Sequence, residues 1–269
     1  MGLKIRIRKK AFALLPLVLM WGGTVSVPLA GAQTDKREII RQARHSYYSL
    51  RGLGLSEFQV KVQPNCGLML KGVESNTDGM KMLNGLRFSM LLGPDGKVKV
   101  DHEATIPPSN PQAEEGMKQI FSGTDQMLSD LFATWNLFML DSPFPPAESQ
   151  YELNEQAAVY VLTYKEGSED ITTTMTRDLT ITEIKVSSPD FTSSVKPRFV
   201  KSEKGKVLQG YGASYTPTTG PGKVEMNVQI DYSEISGMQL PQRFHFSGTY
   251  DGKPNETELL FNNYKVKVR

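Results

Sequence analysis

The chain has 269 residues, 39% of them hydrophobic and 22% charged, which excludes a disordered or collagen-like chain. Its single cysteine, Cys66, excludes an internal disulfide, so the fold must be held by its core. The formal charge of +2 comes from the N-terminal leader described next, so it does not indicate a nucleic-acid binder.

Residues 1–32 read as a signal peptide. "GLKIRIRKK" is a basic n-region, "AFALLPLVLMW" a short apolar h-region, and Ala30-Gly31-Ala32 offers small residues before Gln33. The apolar run is shorter than the about 20 residues of a spanning helix. Retention as an anchor is the alternative. No twin arginine precedes the h-region, and no cysteine follows it for lipid attachment. Removal of the leader takes five basic residues and no acidic ones. The mature chain, 33–269, then has 26 Lys+Arg against 29 Asp+Glu, a net −3. Such a surface has no electrostatic footprint for phosphate backbones, so no nucleic-acid partner is expected.

A helix is predicted from Asp35, capped by Asp35 or Thr34. It has an apolar stripe of Ile39, Ile40, Ala43, Tyr47 and Leu50 and a stop at Gly52 and Gly54. "SEFQVKVQP" alternates as a half-buried strand, with Phe58, Val60 and Val62 on one face and Pro64 at its end. Residues 65–86 have the composition of a loop with a short helix. "LRFSMLLGPDGKVKVDHEA" reads as a hairpin turning at Pro94-Asp95-Gly96.

A long amphipathic helix is predicted over 112–140. Its apolar face carries Met117, Ile120, Phe121, Leu128, Leu131, Phe132, Trp135, Phe138 and Met139. From Tyr151 onward the pattern is strand and turn. "AAVYVLTY" is apolar on both faces, as a central strand would be. "RDLTITEIKV" sets Thr180, Thr182, Ile184 and Val186 on one face, and "VEMNVQIDY" alternates cleanly. Breaks at Gly167, Gly205, Gly220-Pro221-Gly222 and Asp251-Gly252 punctuate an antiparallel meander. In the closing hairpin Phe244, Phe246 and Tyr250 share a face. In the last strand Leu260, Tyr264, Val266 and Val268 share one with Asn262, opposite Phe261. A polar amide in that apolar row means either a β-bulge at Asn262-Asn263 or a polar group for it to meet.

This order predicts a single α+β domain over 33–269. It is a highly curved antiparallel sheet, an incomplete β-barrel, with helices packed across its concave, open side.

Catalytic and metal-binding groups are sparse. The three histidines, His45, His102 and His245, stand at no ligand spacing. His102 in "VDHEA" has a solvated strand end as its expected environment, with weak metal binding as the alternative. No nucleophile elbow, zinc-protease motif or phosphate-cradling glycine loop occurs. The methionines are scattered, as core filler would be, and Asn255-Glu256-Thr257 reads as a turn rather than a glycan site. No catalytic residue, metal or cofactor is therefore expected.

Two stretches resemble the periplasmic lipoprotein-carrier superfamily of LolA/LolB-like proteins. They are "ARHSYYSLRGLGLSEFQVKV", a helix running into the first strand, and "LPQRFHFSGTYDGKPNETELLFNNYKVKV", an LP-entered strand, a turn and a final strand. The resemblance implies a half-barrel with a helical lid and an apolar cavity for acyl chains in the bacterial periplasm. The chain departs from that pattern in its length, and no functional residue of the carriers is matched here. The expected lining of such a cavity is Trp135, Phe138, Met226, Phe244, Phe246 and Tyr264. The resulting reading is an exported, monomeric, non-enzymatic binder of a lipid-like ligand, with transient membrane or envelope-protein contact compatible with it. A solid-core protein-interaction module is the alternative, and a metal-dependent enzyme ranks last.

Overall fold

The computed structural model describes residues 35–65, 83, 85–104, 111–146 and 148–269. The expected leader, Cys66 and most of the 65–86 stretch expected to hold a short helix lie outside these. Among the described residues the fold is α+β: an open sheet of twelve antiparallel strands and two helices. Helix α1 is Lys36–His45 and α2 is Pro111–Met139. The strands are β1 Leu55–Pro64, β2 Leu86–Leu92, β3 Val98–Ala104, β4 Tyr151–Glu155, β5 Val159–Glu166, β6 Glu169–Thr176, β7 Ile181–Ser187, β8 Phe191–Ser202, β9 Gly205–Pro217, β10 Val224–Ile235, β11 Met238–Tyr250 and β12 Lys253–Val268.

Strands β4 to β12 form the expected meander, each paired to its sequence neighbour. Strand β1 then pairs antiparallel with β12, which joins the N-terminal β1–β2–β3 unit to the end of the chain. The sheet order is therefore β3-β2-β1-β12-β11 and onward down to β4, with β3 and β4 as its end strands among the described residues.

Helix α1 starts as predicted, with the Asp35 carboxylate accepting from the Arg37 N–H at 3.0 Å. It ends earlier than predicted, at His45, with Ser46 as its cap. Tyr47 and Leu50 are buried but not helical. Tertiary hydrogen bonds explain the difference. Tyr48 N–H donates to the Lys206 carbonyl (3.0 Å), Lys206 N–H to the Ser46 carbonyl (2.9 Å), and Leu50 N–H to the Met139 carbonyl (2.9 Å). Each backbone group finds a partner outside the helix, so glycine is not what stops it. Gly205 lets this segment approach: a Cβ there would stand 2.7 Å from the Tyr47 carbonyl carbon.

Three strand expectations also change. "AAVYVLTY" supplies β5, which is next to the edge strand β4 and mostly half-buried rather than central. In β7 the register slips between Thr174/Met175 and their partners, so Ile181 and Ile184 are both buried and Thr182 is exposed. In β12 the bulge is real: Gln59 pairs with Lys265 but Lys61 with Asn262, and Asn263 has φ +57°. Asn262 is exposed. The bulge flips the faces, so Leu259 and Phe261 are buried and Leu260 is 37% exposed, the reverse of the uniform alternation.

Candidate functional site

Three of the expected lining residues, Trp135, Phe244 and Tyr264, meet in one group, centred on a residue outside that set. Phe132 of α2 is fully buried. Its ring lies 5.3 Å from Trp135, 5.4 Å from Phe244 of β11, 5.7 Å from Phe261 of β12 and 6.3 Å from Phe58 of β1. Phe58 in turn meets Trp135 at 6.4 Å and Tyr264 at 5.4 Å, and Phe244 meets Phe261 at 5.2 Å. The edge-on contacts among these rings suit the aromatic quadrupole. Helical spacing produces the group: Leu128, Leu131, Phe132 and Trp135 fall on one buried stripe of α2.

Polar atoms at the rim are matched. Trp135 Nε1 donates to the Tyr232 hydroxyl (3.1 Å), which donates to the Leu208 carbonyl (2.6 Å). The Tyr264 hydroxyl donates to the Pro241 carbonyl. Burial pushes the Tyr232 and Tyr264 phenols well above their ordinary value, so both stay protonated donors.

The other expected lining residues lie elsewhere. Phe138 is fully buried but belongs to a second ring chain, 5.6 Å from Phe199, which meets Tyr47 at 5.1 Å. Phe246 is buried opposite Val228 and Thr257. Met226 is half-buried opposite Ala213 and Gly248, beside an open trough of about 480 Å³ that Glu183, Lys196, Asn227 and Ser247 also line. Sequence reasoning passed over Phe58, Phe132, Phe261 and Tyr232 as site residues. Phe132 was legible as a neighbour of Trp135 on the stripe, but Phe261 was assigned to the wrong face because alternation was counted straight through the bulge.

A second depression, about 390 Å³, lies where the first half of α2 passes the edge strand β3. Its lining includes His102, Lys118, Phe121 and Asp125. The His102 ring stacks on Phe121 at 4.0 Å with the planes 5° apart, and its Nε2 is 3.9 Å from Asp125 Oδ2. The strand-end histidine is therefore exposed, as expected, but packed on a ring. Burial holds the Asp125 carboxyl above its ordinary value, partly offset by His102. His45 is exposed, and His245 lies 3.1 Å from Glu256. Among the described residues no three His, Cys, Asp or Glu are grouped to hold a metal ion, and no helix is long and apolar enough to cross a membrane. An aromatic cluster of this kind offers dispersion and desolvation to a ligand, not acid–base chemistry.

Comparison with protein-family models, with curated proteins and with solved structures found no match to this chain.

Proposed function

We propose that this protein is an exported, non-enzymatic carrier that takes an acyl chain or similar lipid-like ligand between α2 and the sheet. In this reading the sheet is strongly curved, an incomplete barrel, and α2 with α1 closes its concave side. The close backbone approaches at Gly210 and Gly248, each leaving no room for a Cβ, support that curvature. The observation that carries the proposal is the uneven attachment of α2. At its C-terminal end it is tied by hydrogen bonds: Trp135 to Tyr232, Asn136 Nδ2 to the Gly96 carbonyl (2.9 Å), and Leu50 N–H to the Met139 carbonyl. Its earlier turns meet β2 and β3 through rings, Phe121 against Phe88 at 5.7 Å and against His102, with the exposed His102–Asp125 contact at 3.9 Å as the polar addition. An α2 fixed at one end and apolar along one face can lift like a lid, exposing the face that Phe58, Phe244 and Phe261 share. In the structure α2 lies closed on that face.

The test uses the one tryptophan outside the leader, Trp135. Titration with dibrominated stearate is expected to quench its fluorescence, because bromine quenches only at near contact, and organic extracts of the purified protein should contain acyl lipids. A specific observation favours a second reading, the solid-core interaction module: the rings already fill the space around Trp135. Absence of both quenching and co-purified lipid would establish that module and remove the carrier.

A further inference from the structure

We propose that the face of β3, β2, β1 and β12 turned away from α2 docks on an anionic lipid bilayer. The register assigns the residues to this face. Gln59 lies opposite both Leu91 and Lys265, Leu91 lies opposite Lys99, and Lys61 is one step further along β1 opposite Ser89 and Asn262. Alternation places all of these opposite the buried Phe58, Val60 and Val62. Lys61, Lys99, Lys265 and Arg269 are exposed there, and no carboxylate among the described residues pairs with any of them.

The charge pattern differs elsewhere in the sheet, where acids face the bases. Lys165 meets Asp170 at 2.9 Å, Lys185 and Lys196 share Glu183, Lys223 meets Glu225 at 2.8 Å, and Arg243 is held between Asp231 and Glu258. On the proposed face, Lys267 is 3.5 Å from Glu57, and Arg87 faces Glu103 in register, so neither is counted. Asp101, opposite Ser89, is the unpaired acid beside these lysines; toward the start of β12 Glu256 and Glu258 also lie on this face, turned to His245 and Arg243 of β11. Lys61, Lys99 and Lys265, with Arg269 just past the end of β12, are the cations without an acid partner here, on a chain whose mature balance is net negative. Half-buried Leu91 and exposed Leu260 lie among them on the same face, and apolar side chains among cations match the headgroup boundary of a bilayer. A phosphate-rich lipid surface is complementary to this set in charge, and the inference holds whether or not α2 opens.

Each basic side chain near an anionic surface is worth roughly fivefold in partitioning, so neutralising four should weaken binding by at least ~50-fold. The experiment is flotation of the mature protein, residues 33–269, with phosphatidylcholine vesicles, with and without phosphatidylglycerol. Expected is binding only to the anionic vesicles, at about 25 mM salt, and release at about 300 mM as the charges are screened. The variant K61Q/K99Q/K265Q/R269Q should lose this binding. The control K165Q/K185Q/K196Q/K223Q, with the same charge change on the paired region, should keep it. K61R/K99R/K265R, which preserves charge, should bind as the parent does and separates loss of charge from loss of fold. Failure to bind anionic vesicles at low salt, equal binding to neutral vesicles, or equal loss in the control variant would overturn the proposal.

Discussion

Phe132→Ala is expected to cost about 3–5 kcal/mol of stability, the range for a fully buried aromatic whose surroundings cannot collapse. Four rings from α2, β1, β11 and β12 converge on Phe132, and all four side chains are buried. Three of them are carried by strands whose positions the ladder fixes, so they cannot move in to fill the space. Urea unfolding followed by circular dichroism measures the change. Phe121→Ala, at a half-buried position on the same helix, should cost less. A loss at Phe132 below about 1 kcal/mol would mean that α2 is not packed on these strands.

Gly248→Ala is expected to be the most damaging small substitution in the sheet. A Cβ at this position would lie 2.0 Å from the Glu225 carbonyl oxygen and 2.9 Å from the Met226 Cα. Both are backbone atoms of β10, paired to β11 along its length, so no side chain can turn aside to make room. The strands must separate locally, and the cost should reach or exceed the upper end of the roughly 1–3 kcal/mol typical of overpacking. Gly212→Ala supplies the contrast. Its Cβ meets nothing within 4 Å, so alanine should be neutral or stabilise by about 0.5 kcal/mol through the lower entropy of the unfolded chain. Equal unfolding midpoints for the two variants would contradict the close approach at Gly248.

Much of this fold was legible from local periodicity, and the departures have non-local causes. The alternation of β1 and β10 and the apolar stripe of α2 each depend on a sequence pattern that one face of one element satisfies. The end of α1 depends instead on Lys206 and Met139, residues far along the chain that supply its hydrogen-bond partners. The pairing of β1 with β12 joins the two ends of the chain and leaves no local trace. In β12 the asparagine pair did carry a signal, because Asn263 adopts the left-handed conformation that asparagine tolerates. Counting alternation straight through it nevertheless put Leu260 on the apolar face. The same slip affected the aromatic group: Trp135, Phe244 and Tyr264 were placed in the right neighbourhood, Phe261 was turned outward, and Met226 was drawn in from another part of the sheet. Apolar residues on both faces of β5 suggested a central strand, but that pattern also fits a half-buried strand beside an edge.

The account turns on whether α2 lifts from the sheet at one end. The most direct measurement is a spin-label distance between Gln119 on the early turns of α2 and Gln59 on β1, in a Cys66→Ser background, with and without oleate. Oleate is expected to lengthen and broaden this distance, while a second pair at exposed Ala133 and Gln59, near the hydrogen-bonded end of the helix, stays unchanged. An identical distance at Gln119 with and without saturating oleate would contradict it.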